Sequence, residues 1–516
     1  MLAWEAMKLS LAKLSCWTLG ALALLAPAAS ATWSIIAVNT KTGEVCIASA
    51  TCIEGFPLIT ATPVLRVGLG GACAQSLVDQ TGFFRQTIHN DLIAGSTPQQ
   101  ILDHLEALDL HHQQKQYGIV NMSDDPVTFS GSSDGWAYYG VARQMGDIKY
   151  AIQGNVLTGI QVVTAAENAL LMTPGDLGQK VMAAMEGARV YGGDGRCSCD
   201  FSPTYCGCPP PSFTYSSFTA FFALARIGDV DGATCDATNG CATGQYFSTL
   251  ASIPDPNGGP DPVIDLTAQY AVWRASKAGL TDQLKTRVVA PAQRIRADGA
   301  SLITIEVELR DLDGLLVPGA SSTLSIVDVS GIPAVAAVGA VTPVGPGRFQ
   351  FPLTSTGALG EGRWRITVQD PSGDVLLWPE LAVRAEAPAE LFASHYQLSA
   401  SQGGTVSFSI DCGPADSSAV YLLLASASGT SPGTPFSGLV FPLRLDRIMR
   451  LSYVQTNSSR FQDTVGFLDM NGRATARFVA PPNLLYDYVG RRFDWSAGVF
   501  GPPDHATPPT GFDIVP

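Results

Sequence analysis

Thr32 is the residue whose type and position most clearly indicate chemical reactivity. A threonine hydroxyl is a weak nucleophile unless a base lies beside it. At the start of a chain the residue's own α-amine can be that base, because its pKa is about 8 and part of it is neutral close to pH 7. Thr32 would hold that position if the chain were cut after Ala31. The sequence therefore predicts an N-terminal nucleophile that attacks a carbonyl group.

Residues 1–31 have the features of a secretion signal. Lys8 and Lys13 supply positive charge, residues 19–25 form a short apolar run, and Ala29-Ser30-Ala31 is a small-x-small cleavage site. We expect this segment to be removed. The mature chain is then secreted, or lies in the periplasm or at the cell surface.

Residues 32–287, which must position Thr32, are predicted to contain both strands and helices. Apolar runs at 32–38 and 44–52 flank a polar turn and predict a hairpin that starts at Thr32. Further strands are predicted at residues 64–76, 117–130, 149–157, 218–228 and 246–253.

Helices are predicted between these strands. Thr97, with Pro98 and Gln100, forms a capping box before an apolar stripe, and Thr173 is predicted to cap a second helix in the same way. Residues 261–277 are predicted to form a closing helix. Paired strands separated by helices favour a layered α+β fold, with helices covering a mainly antiparallel sheet stack.

From about residue 288 the sequence pattern is typical of β-strands alone. Ile303, Ile305, Val307 and Leu309 alternate with polar residues, and residues 364–368 repeat the pattern. We therefore predict an immunoglobulin-like sandwich over 288–385 and a C-terminal β-rich domain over 386–516, in which Asn471-Gly472 is a hairpin turn.

Several stretches of the first domain, in this order, resemble one known family. They are residues 32–38, 42–45, 47–50, 68–75, 115–120 and 153–157. Together they resemble the domain of unknown function 1028 family, which is assigned to the N-terminal-nucleophile (Ntn) hydrolase superfamily. The resemblance covers residues 32–195 well and extends more loosely to 285. It implies a four-layer αββα fold and hydrolysis of an amide bond by an N-terminal threonine.

The resemblance also directs attention to the polar partners of Thr32. Between Thr32 and Asp79 the basic residues are Lys41, in a turn, and Arg66, so the strand lysine of proteasome-type enzymes has no evident counterpart. The α-amine would then act unaided or with hydroxyl and amide partners. The predicted catalytic set is Thr32, Ser34, Ser49, Gln75 and Asn155, with Gln153 as a further polar candidate. Asn155 or Gln75 is predicted to donate to the oxyanion.

Eleven cysteines are present, and ten remain after removal of Cys16. An even number in an exported chain favours disulfides. The group Cys197, Cys199, Cys206 and Cys208 has C-x-C spacing, which favours disulfides over zinc. Cys235 and Cys241 are predicted to pair. Two of Cys46, Cys52 and Cys73 are expected to pair and one to remain a buried thiol, while Cys412 has no local partner.

The sequence gives little support to other kinds of catalytic or metal-binding site. The chain has no H-E-x-x-H motif, the G-x-S-x-G matches at 131–135 and 429–433 are predicted turns, and the acidic loop at 229–232 lacks the ligands of a calcium site. A net charge of −14 argues against a nucleic-acid partner. We expect no cofactor, no metal ion and no membrane span beyond residue 31.

Two function classes remain open. The first is a secreted Ntn-type hydrolase that acts on a small-molecule or peptide amide. The alternative is a catalytically silent extracellular binding or surface-assembly protein that retains the fold, with a partner bound by the C-terminal β-domains.

Overall fold

The computed structural model describes residues 32–199, 205–255, 258–318, 321–330, 333–370 and 373–516. The predicted signal and its cleavage site lie outside these residues. The chain forms two compact units, of which the first ends at Ser276 and the second is Lys277–Pro516. None of the helices in the described residues combines the length and apolar character that a membrane crossing requires.

The first unit contains a six-stranded and a four-stranded antiparallel sheet. The larger sheet has the order β10-β9-β2-β1-β8-β7, and the smaller sheet has the order β3-β4-β5-β6. The strands are β1 (Thr32–Asn39), β2 (Glu44–Thr51), β3 (Pro63–Arg66), β4 (Gly70–Ser76), β5 (Lys115–Asn121), β6 (Val127–Ser130), β7 (Tyr139–Met145), β8 (Ile148–Asn155), β9 (Thr219–Ala225) and β10 (Ser248–Ser252).

Helices surround the two sheets of the first unit, and the longer ones cover the outer faces. They are α1 (Leu58–Ala61), α2 (Phe83–Ile93), α3 (Pro98–Leu108), α4 (Gln161–Met172), α5 (Leu177–Val190), α6 (Gly195–Ser198) and α7 (Pro262–Ala275). One face of the larger sheet packs its apolar side chains against α4, α5 and α7. Its other face packs against the smaller sheet, whose outer face meets α2 and α3. Period-two alternation thus sends successive residues of β1 to two different cores.

Strand β1 lies at the centre of the larger sheet. The predicted hairpin is present, with Thr32 opposite Thr51 and Asn39 opposite Glu44. The Asn39 side-chain oxygen accepts from the backbone of Lys41 and Thr42 and so closes the turn. On its other side β1 pairs with β8, which places Asn155 opposite Thr32.

Two predicted strands are each a hairpin. Residues 64–76 divide into β3 and β4, because Gly68 adopts a φ of +67° and turns the chain. Residues 117–130 divide into β5 and β6, because the Asn121 side chain accepts from the backbone of Ser123 and Asp124 and forms a tight turn. The prediction of single long strands was wrong in both cases.

The helix caps differ in outcome. Thr97 caps α3 with the predicted capping box to Gln100. Thr173, however, is the C-cap of α4, and α5 is capped by Asp176 in a capping box with Gln179. The error arose because Thr173-Pro174 resembles a helix start, although the preceding helix ends there.

In its described residues the second unit contains two β-sandwiches, each with two main sheets around an apolar core, and the second sandwich has a separate two-stranded sheet as well. The strands of the first are β11 (Arg287–Val289), β12 (Arg294–Arg296), β13 (Leu302–Glu308), β14 (Thr323–Asp328), β15 (Ala336–Val338), β16 (Thr342–Gly345), β17 (Arg348–Ser355), β18 (Gly360–Asp370), β19 (Gly373–Leu376) and β20 (Leu381–Glu386). Trp364 lies fully buried between these sheets.

The second sandwich also carries one helix, α8 (Arg447–Val454), against its sheets. Its strands are β21 (Leu391–Ala393), β22 (Gln397–Ser399), β23 (Gly404–Asp411), β24 (Val420–Ser426), β25 (Thr434–Phe436), β26 (Leu439–Phe441), β27 (Phe461–Gln462), β28 (Val465–Phe467), β29 (Arg473–Ala480), β30 (Arg492–Phe500), β31 (His505–Ala506) and β32 (Thr510–Val515). Asn471-Gly472 does turn the chain, but β28 and β29 belong to different sheets, so the predicted hairpin was wrong.

Candidate functional site

Polar side chains gather at one end of the space between the two sheets of the first unit. At the other end the same alternating positions are apolar, as in Ile36 and Val38 of β1. A completely buried polar group is costly unless it is hydrogen-bonded, so a polar cluster here needs internal partners. We call this set the Thr32 cluster; its members are Thr32, Ser34, Ser49, Thr51, Gln75, Gln116, Gln153 and Asn155, and all are buried.

Thr32 is held at three atoms. Its backbone nitrogen donates to Oδ1 of Asn155 at 3.2 Å, and its hydroxyl donates to Oγ1 of Thr51 at 3.4 Å. Its carbonyl oxygen accepts from Nε2 of Gln75 at 2.9 Å. The residue is only 1% exposed. The nitrogen that cleavage would convert into an α-amine therefore faces an acceptor, which is the correct partner for an amine.

The two predicted serines join the same network. Ser34 donates to Oε1 of Gln75 and lies 3.0 Å from Oγ of Ser49, and Ser49 donates to the carbonyl of Trp33 at 2.6 Å. All five residues of the predicted catalytic set are thus brought together. Gln153 lies among them too, and its Nε2 donates to the carbonyl of Cys73 at 3.3 Å.

The amide hydrogens of the two predicted oxyanion donors are already engaged. Gln75 donates to Thr32 and, at 2.7 Å, to Oε1 of Gln116. Asn155 donates to Oγ of Ser76 at 3.0 Å and to the carbonyl of Asp134 at 3.2 Å. Either residue would have to give up one of these bonds to stabilise an oxyanion. The oxygen of Asn155, rather than its nitrogen, is the atom that faces Thr32.

Asp134 is a buried carboxylate that the sequence analysis passed over. It lies in the turn at 131–135 and is 0% exposed, and its carboxylate oxygens have no hydrogen-bond partner among the described residues. Burial raises the pKa of Asp134 to about 7, opposed by the nearby hydroxyl of Ser76. Asn155 donates to Oγ of Ser76 and to the backbone carbonyl of Asp134, so Asp134 adjoins the residue that accepts from the Thr32 nitrogen.

The backbone around the cluster is strained. Ser76, Ala137 and Val156 have φ values of +73°, +49° and +51°, and they are not glycines. A positive φ is especially unfavourable for a β-branched residue such as Val156. Ser76 and Val156 directly follow Gln75 and Asn155, so the strain occurs where the two strands leave the site. Strain of this kind is concentrated at functional sites in proteins.

A cation reaches the cluster from a distant part of the sequence. Nη2 of Arg196, in α6, lies 3.4 Å from Oγ1 of Thr51 and 2.7 Å from the fully buried carboxylate of Asp194. Asp194 also accepts from the backbone nitrogen of Cys52 at 2.9 Å. The sequence pattern does not indicate Arg196, because it lies in a four-residue helix far from the first strands in sequence.

Three disulfides are present in the described residues: Cys52–Cys197, Cys199–Cys206 and the predicted Cys235–Cys241. The expected pair among Cys46, Cys52 and Cys73 does not form. Cys46 lies in the core under the helices and Cys73 in the core between the sheets, and both are buried thiols. Cys52–Cys197 joins the residue after Thr51 to the residue after Arg196, so it holds α6 against the Thr32 cluster.

The first part of the chain matches a family model. Residues 32–199, which are less than half of the chain, match a family described as "Family of unknown function (DUF1028)". No curated protein matches the chain.

Among solved structures, protein SPO2555 from Silicibacter pomeroyi, whose title names the same family, is 16% identical, with coverage of 47% of this chain and 89% of that one and a TM-score of 0.34. The adhesin InvE of Yersinia pseudotuberculosis is 14% identical (45% and 58% coverage, TM-score 0.17). Invasin, titled a bacterial integrin-binding protein, is 13% identical (58% and 46% coverage, TM-score 0.18). With TM-scores this low, nothing about function follows from these likenesses.

Proposed function

We propose that this protein is a secreted Ntn-type hydrolase that cleaves an amide bond with Thr32 as its nucleophile. The observation that carries the proposal is the set of contacts at Thr32: its nitrogen faces Oδ1 of Asn155 and its hydroxyl faces Thr51. The succession of helices, two sheets and helices agrees with a four-layer αββα Ntn fold. Export and cleavage after Ala31 are part of the same proposal, and the disulfides support them.

The proposed reaction uses these contacts. The α-amine takes the proton of the Thr32 hydroxyl while Oγ1 bonds to the amide carbonyl carbon. The C–N bond then breaks, the proton passes from the α-ammonium to the leaving nitrogen, and an ester on Thr32 remains. Water, deprotonated by the same amine, opens the ester and restores the hydroxyl. Asn155 orients the amine through its oxygen, and Ser76 and the carbonyl of Asp134 fix the Asn155 amide.

The test uses the exported protein and an electrophilic β-lactone, read by intact mass. We expect a chain that begins at Thr32 and gains one label. Thr32→Ala should lose the label and keep its thermal transition, while Thr32→Ser should retain part of the labelling rate because it keeps an oxygen and an amine. Thr249→Ala, which alters an exposed threonine of the same sheet, is the matched control and should label as the wild type does.

The alternative, a catalytically silent binding protein, is favoured by one observation: Thr32 is 1% exposed. For Thr32 to react, cleavage after Ala31 must therefore open a path by which the substrate reaches its hydroxyl. A correctly processed wild type that several electrophiles fail to label would favour this alternative. A mature chain that begins at another residue would overturn the mechanism itself.

A further inference from the structure

Three side chains of types that bind metal ions lie close together in the second unit. The proposed hydrolase reaction does not use them. The ligand atoms of Cys412, Asp416 and His505 lie within 4.8 Å of one another, and all three residues are half-buried. A thiol, a carboxylate and an imidazole are three of the ligand types that zinc accepts. The set is therefore chemically complete for a site with three protein ligands.

The topology of the second sandwich brings these residues together. Cys412 directly follows β23, and Asp416 ends the single helical turn Pro414–Asp416. Gly413, with a φ of +85°, lets the chain bend between them. This loop leads into β24, whose first residue Val420 is paired with Phe500 of β30, and the neighbouring residue Val499 is paired with His505. The loop that holds Cys412 and Asp416 thus lies beside β31, which holds His505, although Asp416 and His505 are 89 residues apart in sequence.

Little else in the described residues engages the three ligand atoms. Cys412 has no disulfide partner there, and the Asp416 carboxylate has neither a hydrogen bond nor an ion pair there. Nδ1 of His505 lies 3.4 Å from the carbonyl oxygen of Pro503. A ring nitrogen that donates to a backbone carbonyl leaves the other nitrogen with its lone pair available, which is the usual arrangement of a metal-bound histidine.

The charge around the cluster favours a cation. Three acidic residues lie near Cys412: Asp416 is a member of the cluster, Asp411 directly precedes Cys412, and the backbone nitrogen of Asp411 donates to the carbonyl of Glu390 at 2.7 Å. Arg473 pairs with Asp411 at 3.1 Å and offsets one of the three charges. A negative field remains at the thiol, which a divalent cation would relieve.

We propose that Cys412, Asp416 and His505 form a zinc site with its fourth position open to water or to a partner's side chain. The thiolate selects zinc over magnesium and calcium, which prefer oxygen ligands. In a tetrahedral zinc site the ligand atoms are about 3.3–3.6 Å apart, since the bonds are about 2.0–2.3 Å long. The three ligand atoms lie within 4.8 Å of one another, so zinc binding requires side-chain rotation that brings them closer. Binding releases the thiol proton to solvent.

The first experiment titrates zinc into the full-length protein and counts reactive thiols. Cys208 is the other unbridged cysteine with exposure in the described residues, whereas Cys46 and Cys73 are buried. We expect zinc to protect one thiol from a disulfide reagent in the wild type and in Cys208→Ser, and none in Cys412→Ser. Cobalt(II), used in place of zinc, should give a thiolate-to-metal charge-transfer band that only Cys412→Ser abolishes.

The second experiment compares zinc affinities. His505→Gln and Asp416→Asn should each weaken binding by more than about 100-fold, because even the groups behind metal ligands are worth 10- to 100-fold. Thermal transitions without metal should match the wild type, since these side chains are half-buried and make few other contacts. Zinc that still protects a thiol in Cys412→Ser, a charge-transfer band lost in Cys208→Ser, or unchanged affinity in His505→Gln would each overturn the site. The outcome is independent of Thr32 chemistry.

Discussion

At the scale of single residues, Asp134 makes a distinct prediction about pH. Its pKa is raised by burial from 3.8 to about 7, so the folded chain keeps a proton that the unfolded chain has already released. The folded state binds the extra proton between about pH 4 and pH 7, and the free energy of unfolding therefore falls as the pH rises through this window. At about 1.4 kcal/mol per pKa unit, the full effect is at most roughly 4 kcal/mol.

Asp134→Asn removes this titration, so the variant should gain stability relative to the wild type as the pH rises. Urea unfolding at pH 4.5 and pH 8 measures the difference. Asp125→Asn, which changes an exposed carboxylate nearby in the chain, is the control and should keep the wild-type slope. A wild type and an Asp134→Asn variant with parallel pH profiles would show that this carboxylate is solvated.

Members of the Thr32 cluster could be predicted from the sequence only where they lie on a strand with a recognisable alternating pattern. Ser34, Ser49 and Asn155 interrupt alternating apolar positions on strands near Thr32, which is a signal that sequence periodicity can detect. Asp134 and Arg196 lie in a turn and a short helix, and no periodic pattern links them to β1. Their roles depend on how the chain returns to the sheet, which the sequence alone does not encode locally.

At the scale of elements, two disulfides near each other should contribute very differently to stability. Cys52–Cys197 closes a loop with a sequence separation of 145, and Cys199–Cys206 one of only 7. In the loop-entropy model these are worth about 5 and about 2.4 kcal/mol. Cys52→Ser with Cys197→Ser should therefore lower the unfolding free energy by about 2.5 kcal/mol more than Cys199→Ser with Cys206→Ser. Equal losses in denaturant unfolding would contradict this account.

The start of a helix could be predicted where a side chain caps it. The cap at Thr97 and the closing helix with its Asp261 cap follow from local hydrogen bonds. The helix α2 was not predicted because its buried face includes Arg85 and Thr87, which obscure the apolar stripe. Arg85 is 1% exposed and donates to the carbonyls of Thr60 and Asp79, so its burial depends on neighbours that sequence periodicity ignores.

At the scale of the whole molecule, each compact unit has its own apolar cores. Those of the first unit are formed by residues 33–270, and those of the second by residues 295–514. No described core cluster contains residues of both units. A unit that buries a complete core meets the requirement for folding alone. The predicted domain boundary at residue 287 and the end of the first unit at Ser276 both leave these cores intact.

The last prediction follows from that independence. Residues 32–285, produced under oxidising conditions so that the three disulfides form, should unfold in one cooperative thermal transition. Residues 277–516, the companion fragment, should also unfold cooperatively, in up to two transitions because each β-sandwich has its own core. Each midpoint should lie within a few degrees of a transition of the full chain in scanning calorimetry, because no core is divided. A first fragment that is molten and protease-sensitive would mean that the β-sandwiches contribute to the stability of the unit that holds Thr32.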